Sequence, residues 1–163
     1  MASPRLIDNL KFVTGCNPAA LTSTAGDGDY VSMKDYSHLT MVLTVLNATT
    51  VTGGAVTLLQ ATDVAAGAAK PLGFTKMWAN TDTAASDTLV ETAVTSNTFT
   101  TSTTNSKALK YIIEIEATDL DTAGGFDCVR IDVASMAAAV GNVEYILSGA
   151  KEKPPIARSA ITD

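Results

Sequence analysis

Basic charge, histidine, cysteine and aromatic rings are all scarce in this chain of 163 residues. Eleven Lys and Arg face 17 Asp and Glu, giving a formal net charge of −6. A nucleic-acid binder needs a basic stripe to release counterions, and none is present. The basic residues are scattered, with one cluster at Lys151, Lys153 and Arg158. Binding to DNA or RNA is therefore not expected. His38 is the single histidine, so neither a His pair for a metal nor a choice of base for a nucleophile exists. No apolar run approaches the length of a membrane span. Met1-Ala2-Ser3-Pro4-Arg5 leads into no apolar stretch, so a signal peptide is not expected and synthesis in the cytoplasm is. That compartment disfavours a disulfide between Cys16 and Cys128. Cys128 sits in an apolar strand pattern and reads as a small buried hydrophobe. The sequon at Asn47-Ala48-Thr49 has no consequence without secretion.

What is abundant is alanine and threonine, about two dozen of each, roughly twice the usual share. Branching at Cβ stiffens Thr and Val and suits them to pleated surfaces. The length is that of one domain. The pattern predicts an all-β, antiparallel β-sandwich, jelly-roll-like, with about eight or nine strands spaced by turn signals. Residues 27–149 form the sandwich domain; 1–26 form an extended N-terminal arm and 150–163 an extended C-terminal tail. The strand over His38–Leu46 is apolar on both faces and is expected to be central. Leu109, Tyr111, Ile113 and Ile115 alternate cleanly and should point inward, with Leu39, Met41, Leu43 and Val129 beside them in the core. Phe74 and Trp78 are placed on one face of a strand over residues 72–79. Residues 89–94 and 98–101 read as a hairpin around Thr95-Ser96-Asn97.

Motifs that carry chemistry are few. Glu114 and Glu116 share a strand face by i, i+2 spacing, whereas a glycosidase needs carboxylates across a cleft; with Lys110 near, a solvated sheet face is the expectation. Asp27-Gly28-Asp29 and Asp119-Leu120-Asp121 begin like calcium loops but lack the acidic series of an EF-hand, and Asp-Gly is ordinary turn chemistry. No phosphate loop, nucleophile elbow, CxxC or HExxH is present. Trp78, Phe74 and Tyr111 could stack on sugars, though such rings more often fill a core. No enzyme, cofactor or metal is expected.

Three stretches together, Asp35–Thr40, Val56–Asp63 and Gly125–Ile131, set in a Thr/Ala-rich β domain, resemble the small structural proteins of tailed phages and prophages. The resemblance is to head decoration or cement proteins and covers about residues 30 to 148. It implies a virion protein on the capsid surface, bound to the major capsid protein, often as a homotrimer, with no catalytic residues. By the charge and the lack of a long apolar run, no nucleic acid and no membrane are expected as partners. Tail-tube, tail-terminator and head–tail joining proteins are the alternative, and a carbohydrate-binding module of a host-recognition fibre is the second. The arms are expected to make the capsid and subunit contacts through Leu6, Ile7, Leu10, Phe12, Pro154, Pro155 and Ile156, by strand addition and avidity. The body is expected to fold without them.

Overall fold

A computed structural model describes residues 5–22, 28–151 and 159–161. Among these residues eleven strands build two antiparallel sheets, with only short 3-10 turns besides. The larger sheet contains β1 (Lys11–Ala20), β3 (His38–Asn47), β6 (Lys76–Asn80), β7 (Val90–Ala93), β9 (Ala108–Glu116) and β11 (Ala139–Ser148). Its order is β1-β11-β3-β9-β6-β7, so β3 is central, as its two apolar faces require. The smaller sheet runs β2 (Val31–Ser32), β10 (Cys128–Val133), β4 (Ala55–Ala61), β5 (Ala69–Pro71), and β8 (Thr98–Thr100) also pairs with β4.

Strand alternation decides what is buried. Leu39, Met41, Leu43 and Val45 of β3 pair with Ile115, Ile113, Tyr111 and Leu109 of β9, and all eight side chains are buried. They share one core cluster with Val56, Leu58, Val129 and Ile131 of the smaller sheet. The six interior residues named from the sequence, Leu39, Met41, Leu43, Ile113, Ile115 and Val129, all lie there. Cys16 and Cys128 are both buried thiols.

Tyr145 of β11 links the layers. Its ring is fully buried, and its hydroxyl accepts from the Ile131 N–H at 3.1 Å. The Ile131 carbonyl accepts from Gly28 N–H at 2.8 Å. These two bonds satisfy β10 where short β2 no longer reaches it. A Cβ on Gly15 would stand 2.5 Å from the Tyr145 ring, and one on Gly28 would stand 2.4 Å from its hydroxyl. Only glycine fits at either place. Burial raises the Tyr145 hydroxyl well above the ordinary tyrosine range, and it raises Tyr111 in the same direction.

Several expectations need correction. The N-terminal segment is not a free arm, because Lys11–Ala20 forms β1 and pairs with β11 from Lys11–Leu147 to Ala20–Val140. Val13, Cys16 and Leu21 are buried there. Register shifts between Thr14, Cys16 and Ala19 break its alternation. Residues 89–101 are not a hairpin: β7 pairs with β6 in the larger sheet, while β8 pairs with β4 in the smaller. The Thr95–Asn97 turn crosses between them, its carbonyls accepting from Phe74 and Leu58 N–H groups. Phe74 and Trp78 do not share a face, because the strand begins only at Lys76. Phe74 is buried edge-on against Phe99, while Trp78 stands opposite Ile112 on the outward face. Of the tail, Ala160 is buried and its carbonyl accepts from Ser32 N–H at 2.7 Å, so the last described residues dock on the body.

Candidate functional site on the outer face of the larger sheet

The register places outward side chains in rows across the strands. One row reads Thr14, Glu144, Val42, Ile112, Trp78, Glu91; the next reads Phe12, Ile146, Thr40, Glu114. Val42, Ile112, Ile146 and Trp78 are half-buried, and Phe12 is 47% exposed. Together they form an apolar diagonal crossing five strands. Polar residues flank it in the same rows, Thr14, Glu144 and Glu91 in the first and Thr40 and Glu114 in the second, and Thr14 Oγ1 donates to Glu144 at 3.1 Å. A solvated sheet face ordinarily alternates apolar-in with polar-out, and this one departs from that on its outward side.

Each end of the face has its own character. At one end Leu46 and Val140 pair directly and remain 57% and 46% exposed. They line an apolar groove with Ala20, Ala48, Ala138 and Ala139. At the other end Ser148, His38 and Glu116 make a row. His38 Nδ1 lies 2.8 Å from Glu116 Oε1, and Nε2 lies 3.3 Å from Thr40 Oγ1 and 3.7 Å from Glu114 Oε1. The only histidine thus joins the two glutamates, a contact that appears only once β3 is set against β9. His38 is hydrogen-bonded to Glu116 and Thr40, with Glu114 beyond hydrogen-bond length, and the three contacts tie β3 to β9 at this end of the sheet.

The residues chosen from the sequence fall in several places. Phe12 joins the apolar diagonal. Leu6 and Ile7 sit in a 3-10 turn ahead of β1, 72% and 44% exposed, and Leu10 is half-buried. Pro154, Pro155 and Ile156 lie outside the described residues. Sequence reasoning passed over Val140 and Ile146, which only the pairing of β1 and β3 with β11 brings beside Phe12 and Leu46.

Two other candidate sites resolve into ordinary roles. The Asp121 carboxylate pairs with Lys70 and accepts from Gly124 N–H, and these partners hold it below the usual carboxylate range. Asp119 accepts from Glu116 N–H at 2.9 Å. Among the described residues no group of three or more His, Cys, Asp or Glu is arranged to hold a metal; Asp27 lies outside them. The sugar-stacking trio is dispersed, since Phe74 and Tyr111 are in the core and only Trp78 faces outward.

Among the described residues no helix is long and apolar enough to cross a membrane. No family model matches the chain, and neither does any curated protein. Among solved structures it is similar to the SPBc2 prophage-derived protein YomS, with a TM-score of 0.45 and 16% sequence identity over 90% of this chain and 98% of that one. A likeness of that size transfers no function to this chain.

Proposed function

We propose that this chain is a non-catalytic structural protein of a phage particle, a β-sandwich that binds the outside of the capsid lattice as a decoration or cement protein. The observation that supports it most is the apolar diagonal of Phe12, Ile146, Val42, Ile112 and Trp78 on the outward face of the larger sheet, where Phe12 is exposed and the other four are half-buried. A contiguous apolar patch of this kind marks an interaction surface. Many copies on a repeating lattice add modest contacts into firm attachment. The same face could bury against sister copies, and a homotrimer is the assembly we favour. The acidic surface, at net charge −6, would keep particles dispersed.

The reading is tested by mixing the purified chain with capsids assembled without it and sedimenting them. Saturable co-sedimentation is expected, and Phe12→Glu should weaken it by about tenfold, as for a central apolar contact. Phe12 is exposed on an edge strand, so the variant should remain folded. A chain that stays in the supernatant at micromolar concentration contradicts the proposal.

A further inference from the structure

β6 and β9 part company at one end of the outer face. Their pairing covers only Trp78–Ile112, Ala79–Tyr111 and Asn80–Lys110. Before Lys76 the chain turns into the core, where Phe74 is buried against Phe99 and its N–H donates to the Ser96 carbonyl. Gly73–Lys76 therefore separates from Glu114–Glu116, and a cleft of about 290 Å³ opens between them. That is the lower end of the size range of small-ligand sites. Trp78, Glu114, Glu116, Asp119, Lys76 and His38 line it.

The polar groups of the cleft are unequally engaged. Lys76 Nζ is held 3.2 Å from Glu91 Oε1. Glu116 takes His38 Nδ1 at 2.8 Å, and Asp119 takes the Glu116 N–H. Among the described residues Glu114 has only His38 Nε2 at 3.7 Å, beyond hydrogen-bond length. Three carboxylates against one already paired lysine leave the cleft acidic. Glu114 is also the diagonal neighbour of Trp78 across the β6–β9 pair, a separation of roughly 7–8 Å in a sheet.

The geometry points to a receptor for an arginine side chain carried by a basic segment of a partner protein. A guanidinium is planar, stacks on an aromatic face and donates in a fork that matches a carboxylate. Stacked on Trp78, it reaches the carboxylate of Glu114. A neutral sugar would use the ring but gain little from the net negative charge, and a lysine would use the charge but not the fork. This inference goes beyond the capsid reading and is tested without a particle. A chain that coats capsids yet ignores arginine loses this inference and keeps that reading.

Trp78 is the only tryptophan of the chain, so tryptophan fluorescence reports on this cleft and on the part of the apolar diagonal that Trp78 shares with it. The protein is titrated with a short amidated peptide carrying two arginines between glycines. The control is the same peptide with citrulline, which keeps the shape and loses the charge. A saturable change in emission is expected with arginine, about tenfold weaker with citrulline, and about tenfold weaker in Glu114→Gln. Glu114 is exposed enough (44% of its side chain) for that variant to keep the fold. Identical curves for the two peptides, an unchanged Glu114→Gln, or no response to arginine below about 10 mM overturns the proposal. So does a neutral disaccharide that shifts the emission when arginine does not.

Discussion

Deletion of residues 2–20 is expected to abolish cooperative folding, not to release a self-sufficient body. The deletion removes β1, which pairs along its length with β11, and takes Val13 and Cys16 out of the core. Burial of an apolar side chain of that kind contributes about 1.5–3 kcal/mol. Loss of the strand also uncovers the Tyr145 ring where Gly15 lies on it, and removes the Gly15 carbonyl that accepts from Asp29 N–H. The sum is several kcal/mol, comparable with the whole stability of about 5–15 kcal/mol of an ordinary domain. A shorter deletion, of residues 2–9, removes the exposed Leu6 and Ile7 and leaves β1 whole. It should melt within a few degrees of the full chain, since about 1 kcal/mol moves a midpoint by only about 2–8 °C. Near-ultraviolet circular dichroism and thermal melting distinguish the cases. A native spectrum and a sharp transition after removal of 2–20 would show that β1 is dispensable. The shorter deletion is the one that isolates the contact role of Leu6 and Ile7.

Tyr145→Ala should cost about 3–5 kcal/mol, the range for truncating a buried ring. The site cannot collapse easily, because β1, β10 and the Gly28 segment each meet the ring or its hydroxyl. Tyr145→Phe keeps the ring and orphans the Ile131 N–H, at a cost of about 1–3 kcal/mol. The two variants thus separate packing from hydrogen bonding. The hydroxyl also sets an alkaline limit. Its pKa is raised by burial in the folded chain, while the unfolded value is near 10. The folded state therefore holds the proton more tightly. The stability this contributes is complete below about pH 10 and declines as the pH climbs through the folded value. Denaturant melts between about pH 8 and 11 should show that decline, and Tyr145→Phe should flatten it without removing the part due to Tyr111. An equal slope in both proteins would mean that Tyr145 ionises as freely folded as unfolded.

The strands that were legible in the sequence are those with unbroken period-2 alternation. β3 and β9 declare their inward residues and, by Val42, Leu46 and Ile112, hint at an apolar outer face. β1 was hidden because its bulges put Val13, Gly15 and Cys16 all on buried positions, which destroys the alternation. Gly15, Asn17 and Pro18 each disfavour a regular strand, yet a bulged edge strand tolerates all three. The crossover at Thr95–Asn97 was hidden because turn residues do not say which sheet the next strand will join. Alternation from Leu72 puts Trp78 on the face of Phe74, but regular strand starts only at Lys76. The cleft was legible only in part. Glu114 and Glu116 were seen to share a face, but their meeting with His38 and Trp78 depends on the β3–β9 and β6–β9 registers, which are tertiary facts.

The proposal that the chain coats a phage head is tested most directly by electron microscopy of particles purified from a host strain carrying the gene and from one lacking it. The account predicts regularly spaced density on the outside of the head in the first sample. That density should vanish in the second, with heads that are otherwise complete but less resistant to heat. Particles identical in the two samples, or density that lines the tail or tips a fibre instead, would contradict it.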